Sequence, residues 1–249
     1  MPQSIFKSLL VGSIAIGSVF PVAIGYAYTN DSTVYLPPTY YTFVPPPAGG
    51  TYVDPVFGTT IRRISNAAST LRADNGGLLP SVEAEYSTKS PFNADNSKIL
   101  LMEFSYFALY DGVTLHRIKI LPVSASSEPL WSRSDPNSFY YHPYNGNQII
   151  KYTLGANGSP DSSTVIHTFS EYSSISAKGE SEMSYDGDHL VLVGDGHQAF
   201  VYTISTNSKG PVFEASGHGT LDSVYITPNN NVLMAWSSSG TFVRVTTRS

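Results

Sequence analysis

Residues 180–204 read ESEMSYDGDHLVLVGDGHQAFVYTI, and their punctuation decides the fold. Residues 181–185 form a short run closed by Asp186-Gly187, a dipeptide that tolerates the positive φ of a tight hairpin turn. An aliphatic, β-branched run follows at 189–193, Gly194-Asp195-Gly196 breaks it, and Phe200, Val201 and Tyr202 carry the next strand. Glycines and Asp-Gly pairs interrupt any helical period every few residues, so the stretch predicts an antiparallel meander of three strands.

The same grammar recurs. Phe92, Trp131, Met183 and Ile226 each precede a polar turn of Asp, Asn, Pro or Gly and then an apolar strand. These anchors lie roughly 40 to 50 residues apart, the period of a four-stranded propeller blade. A further strand follows about 20 residues after each anchor, at Leu109-Tyr110, Lys151-Tyr152, Val201-Tyr202 and Val243-Arg244. A fourth strand fits 115–121, 164–169 and 210–215. The expectation is an all-β β-propeller with four recognisable blades of about four antiparallel strands. An unaccompanied strand within 57–65 suits the outer position of the last blade, which would close a ring of four; the alternative is the first part of a larger propeller.

Three regions follow from the composition. Residues 1–27 have the form of a signal peptide: Lys7, an apolar run at 9–24, and small residues in Gly25-Tyr26-Ala27. Residues 28–56 are rich in proline and tyrosine and predict an extended spacer or strap. Residues 57–249 hold the propeller repeats. The expected location is therefore secreted or periplasmic, with no membrane association after cleavage. A net charge of −5 supplies no basic footprint for nucleic acid, and the absence of cysteine excludes disulfide and thiolate chemistry.

Residues 54–64, DPVFGTTIRRI, and 128–132, EPLWS, with Asp135-Pro136-Asn137 and Tyr140-Tyr141, resemble secreted bacterial proteins of the TolB-like and oligogalacturonate-lyase-like β-propeller group. The resemblance covers residue 54 to the C-terminus. It implies a propeller, usually of six or seven blades. In its lyases it implies a metal held by histidines and a glutamine in the central pocket.

Acidic residues fall near the start of each blade's inner strand: Glu83 and Glu85, Glu128, Glu180 and Glu182, and Asp222. Converging there, they would suit a hard cation such as Ca²⁺ or Mn²⁺, or a polyhydroxyl or cationic ligand; equally they would be solvated or would satisfy backbone amides. Of the six histidines, His197 and His218 sit in glycine-containing turns, and with Glu182 they are the candidate metal ligands. Asp186-Gly187-Asp188 has the opening of a calcium loop without its terminal Glu, which favours a hairpin turn. No G-x-S-x-G elbow, P-loop or dinucleotide fingerprint occurs, so no catalytic residue is assigned.

Tyr144, beside Asn145-Gly146-Asn147, and Trp131 offer aromatic faces for a sugar ring. The candidate ligand-binding set is thus Glu85, Glu128, Trp131, Tyr144, Glu182 and Asp222. Two functions of different classes follow: a binding module for an extracellular glycan or protein partner, and a metal-assisted polysaccharide (uronate) lyase.

Overall fold

The computed structural model describes residues 36, 40–55, 57–228 and 230–237, and the backbone of 242–245. The expected signal peptide lies outside the described residues. Two units divide the chain, 1–44 with 52–61 and 45–51 with 62–249. In the first, Asp54 shapes a turn: its Oδ1 accepts Phe57 N–H at 2.8 Å and its carbonyl accepts Gly58 N–H at 2.8 Å. Phe43 and Tyr52 pack with ring centroids 4.6 Å apart.

Strands β1 (Thr51–Val53) and β2 (Thr60–Arg62) pair with one another. The expected lending of 57–65 to the last blade is therefore absent among the described residues. All other strands belong to four antiparallel sheets met in sequence order. The first holds β3 (Lys98–Glu103), β4 (Tyr106–Asp111) and β5 (Arg117–Ser124); the second holds β6 (Leu130–Trp131), β7 (Ser138–Tyr141), β8 (Gln148–Thr153) and β9 (Ser162–Thr168). The third contains β10 (Ile175–Ser176), β11 (His189–Gly194), β12 (Gln198–Thr203), β13 (Ser208–Lys209) and β14 (Phe213–Glu214). The fourth contains β15 (Leu221–Ile226), β16 (Val232–Trp236) and β17 (Phe242–Val245). These are the blades of a β-propeller, at the repeat positions expected from the sequence.

The strands pack on both faces, which explains why they read as continuous apolar runs instead of alternating ones. In the third blade Leu190, Leu192, Phe200 and Tyr202 face the second blade's Leu130, Tyr140 and Ile149. Their neighbours Val191, Val193, Ala199 and Val201 face Val224, Val232, Met234 and Trp236 of the fourth. The first blade likewise sets Leu100, Phe107 and Leu109 against Trp131, Phe139 and Tyr152, and turns Ile99, Leu101, Ala108 and Tyr110 toward Ile64 and Val82. Burying each such side chain contributes on the order of 1.5–3 kcal/mol.

Three strands depart from expectation. In the first blade the innermost strand is reduced to bridges, Glu83 with Met102 and Phe92 with Ile99, because the polar run between them leaves the ladder. In the third blade the innermost strand is β10, not 181–185; in that run Ser184 N–H alone reaches the ladder, donating to His189 O at 3.0 Å. The third blade's outer strand is split into β13 and β14, since Pro211 has no N–H to donate.

The turns after the innermost strands repeat one device: Asp95, Asp135 and Asp186 each accept, through Oδ1, the backbone N–H two residues on, at 2.9, 3.0 and 3.1 Å. These turns also join adjacent blades. Asn93 Nδ2 donates to Pro136 O at 2.8 Å, Arg133 Nη2 to Met183 O at 3.0 Å, and Asn230 Nδ2 to Asp186 Oδ2 at 3.0 Å. One end of the four sheets is thereby stitched, and the β3–β4, β7–β8 and β11–β12 turns lie at the other.

Candidate functional site

The two polar excursions from the inner strands meet. Thr88 Oγ1 donates to Glu180 O at 2.8 Å, and Ser90 N–H donates to Glu182 Oε1 at 2.5 Å. Segments of the first and third blades are thus cross-linked where a propeller has its central channel. Glu182 belongs to this cross-link itself, and Glu85 and Glu128 are engaged by partners of their own.

Glu128 lies deepest in the network. His142 Nε2 approaches its Oε2 at 2.7 Å, Ala177 N–H donates to the same oxygen at 2.5 Å, and Gly179 N–H donates to Oε1. Burial pushes Glu128 up, but His142, the Lys89 charge and the Ala177 amide outweigh it and hold the carboxyl below its usual range. The other nitrogen of His142 faces the Pro143 carbonyl at 3.1 Å, so both ring nitrogens face acceptors. Glu85 pairs with Lys89 at 2.7 Å, with side-chain exposures of 13% and 4%. The orientation falls short of a directed hydrogen bond, so this contact is mainly Coulombic. Burial consequently wins for Glu85, whose pKa is raised.

Glu182 is completed by Arg133 at 3.7 Å. Glu83 accepts from Ser81 Oγ at 3.0 Å, and Glu180 raises the pKa of the Tyr86 phenol by hydrogen bonding and charge, with Asp222 adding to it. Glu85, Glu128 and Glu182 thus have amides, a lysine, an arginine and a histidine as their partners.

The three candidate cation ligands make different contacts. His197 Nδ1 faces Asp195 O at 2.8 Å and its Nε2 lies 3.8 Å from Glu214. His218 stacks on Phe213 with ring centroids 5.8 Å apart and packs on Trp236, while Glu182 belongs to the cross-link. Among the described residues no three His, Asp or Glu side chains form a metal-holding group.

The two candidate aromatics part company. Trp131 is only 7% exposed, donates Nε1–H to Pro91 O at 2.9 Å and packs edge-on against Phe139, so it is core. Tyr144 is 65% exposed at the β7–β8 turn. That turn is held rigidly: Gly146 N–H donates to Pro143 O at 2.8 Å, Ile175 N–H to Gly146 O at 2.9 Å, and Asn147 Nδ2 to the Phe169 and Tyr172 carbonyls at 3.1 Å each. The Asn147 side chain therefore braces the loop, leaving Asn145 exposed beside the tyrosine.

Sequence reasoning missed Lys89, four residues after Glu85, and the pairing of His142 with Glu128, which the β6–β7 hairpin brings together across fourteen residues with no motif spacing. It also missed Glu103, a buried carboxylate in the first blade bonded to Tyr110 Oη at 2.5 Å and Arg117 Nη1 at 2.8 Å. A signal for it existed: Glu103 ends the otherwise apolar run ILLM of β3.

No family model matches the chain, and no curated protein does. Among solved structures it is similar to the β-propeller domain of Cps50 (Swd1) from Myceliophteria thermophila, with 13% identity and a TM-score of 0.50. The match covers 69% of this chain and 59% of that one, so the chain spans well under two thirds of the neighbour's length. At this identity the likeness is one of fold, and it agrees with the blades described above.

Proposed function

We propose that the chain is a secreted, non-catalytic binding module that holds an extracellular glycan on the face formed by its β3–β4, β7–β8 and β11–β12 turns. The observation that carries this reading is Tyr144: an exposed ring on a turn whose backbone and flanking amide are fixed by four hydrogen bonds. A ring presented on a fixed turn suits stacking against a pyranose, because little backbone ordering remains to be met on binding. Phe104, exposed in the β3–β4 turn with the Arg72 guanidinium 3.9 Å from its ring centre, adds a second aromatic at the same end of the sheets. The engagement of Glu85, Glu128 and Glu182 by internal partners gives them a structural task beside this face. Secretion rests on the form of residues 1–27.

Affinity electrophoresis of the mature chain through gels containing polygalacturonate, xylan or laminarin tests the proposal. At least one polymer should retard the native chain, and Tyr144→Ala should restore free mobility with an unchanged circular dichroism spectrum. Equal retardation of the two proteins would remove Tyr144, and with it the proposed face.

A further inference from the structure

A cleft of about 500 Å³ opens in the first blade, between residues 64–71 and the β4–β5 turn. Its volume falls in the range of small-molecule sites. Ile64, Leu71 and Leu115 supply apolar wall, and Asn66, His116 and Arg117 supply polar groups. Beneath it lies Glu103, whose side chain is 1% exposed. A carboxylate buried so deeply is costly unless it is paired and hydrogen-bonded, and here Tyr110 Oη and Arg117 Nη1 meet that requirement.

The consequence falls on Arg117. Its Nη1 is committed to Glu103 and, at 3.4 Å, to the Leu71 carbonyl, which fixes the guanidinium plane. Its Nε and Nη2 have no hydrogen-bond partner among the described residues. These two N–H groups form the edge of the guanidinium that matches a carboxylate in a bidentate pair. Among the described residues the His116 ring likewise makes no hydrogen bond, and the Asn66 amide nitrogen has no partner while its Oδ1 accepts from Arg63 Nη2 at 2.8 Å. Arg62 also stands near, bonded to Val113 O at 3.0 Å. Arg117 is the charged side chain among the residues that line the cleft.

We infer that this cleft binds a small hydroxylated organic carboxylate, with the carboxylate on the Nε–Nη2 edge of Arg117, hydroxyls on His116 and Asn66, and the carbon skeleton against Ile64 and Leu115. Glu103 and Tyr110 are positioning residues that hold the arginine. The site uses no residue of the Tyr144 face and stands or falls separately from it.

Isothermal titration of the mature chain with sodium D-gluconate, and with D-glucitol as its uncharged counterpart, tests the inference. Gluconate should give a saturable single-site isotherm and glucitol none. Arg117→Gln and Arg117→Lys should each weaken gluconate binding by about tenfold or more, the lysine failing because it lacks the planar fork. His116→Ala, at an exposed position without a bonding partner, should fold normally and weaken binding severalfold, while Tyr144→Ala should leave it unchanged. No heat with gluconate, equal heats with glucitol, or full affinity in folded Arg117→Gln and His116→Ala would overturn the assignment.

Discussion

Glu128 and His142 meet at 2.7 Å between the start of β6 and the end of β7, and the same carboxylate receives two backbone N–H groups from the inner segment of the third blade. One side chain therefore joins a hairpin of one blade to the inner edge of the next. Glu128→Ala would orphan an imidazole and two amides at a largely buried site, and should cost about 3 kcal/mol. Glu128→Gln keeps an acceptor and should cost roughly half as much. Urea unfolding followed by tryptophan fluorescence measures both.

The pH dependence of stability divides between the two neighbouring glutamates. Glu128 is depressed in the folded chain, so its contribution is present above the unfolded carboxyl value and is lost as pH falls through the folded pKa. Glu85 is raised, so the sign reverses: its contribution is present below the ordinary 4.5 and is lost as pH rises through its folded pKa. Stability measured on Glu85→Gln relative to the native chain should therefore improve as pH rises from about 4.5 through the folded pKa of Glu85, and level off above it. The same comparison for Glu128→Gln should worsen as pH rises from below that value to above it. Thermal melts across the acid range check both slopes.

Gly194 ends β11 beneath the Tyr172 ring, where an added Cβ would lie 2.6 Å from three ring carbons. Tyr172 cannot move aside freely, because it stacks on Phe200 with centroids 5.4 Å apart and sits in the core between the second and third blades. Gly194→Ala should destabilise the chain by about 1–3 kcal/mol, the usual cost of overpacking, without altering glycan retention. Differential scanning calorimetry provides the measurement.

Asp186 is exposed, yet its two oxygens accept from Ser184 Oγ at 2.5 Å and Asn230 Nδ2 at 3.0 Å, which hold its carboxyl far below the usual range. Asp186→Ala should cost about 1 kcal/mol at neutral pH, since solvent screens the site. The loss should shrink at low pH, where the native carboxylate also takes up a proton. Acid-titrated melts of the variant should accordingly converge on those of the native chain.

The blades were legible because turns such as Asp95-Asn96-Ser97 and Asp186-Gly187-Asp188 are local chemistry, and the third strand of each blade fell where the repeat placed it. The inner strands were less legible. Thr88 and Ser90 in one blade meet Glu180 and Glu182 in another, and that meeting depends on blade-to-blade geometry absent from either segment alone. The same distinction separates the aromatics: Trp131 and Tyr144 look alike as residue types, but Trp131 is claimed across a blade interface by Pro91 and the first blade's apolar face, whereas Tyr144 stays exposed. Glu103 was passed over for the opposite reason, since its run fits a core strand in every position but the last.

The most direct test of the binding account is retention of the mature chain on an insoluble form of the retarding polysaccharide in EDTA, with the polymer's chain length followed over the incubation. The account predicts retention that survives EDTA, is lost in Tyr144→Ala, and leaves the polymer at its original length. Shortening of the polymer that requires a divalent cation would contradict it and assign the chain to metal-assisted lyase chemistry.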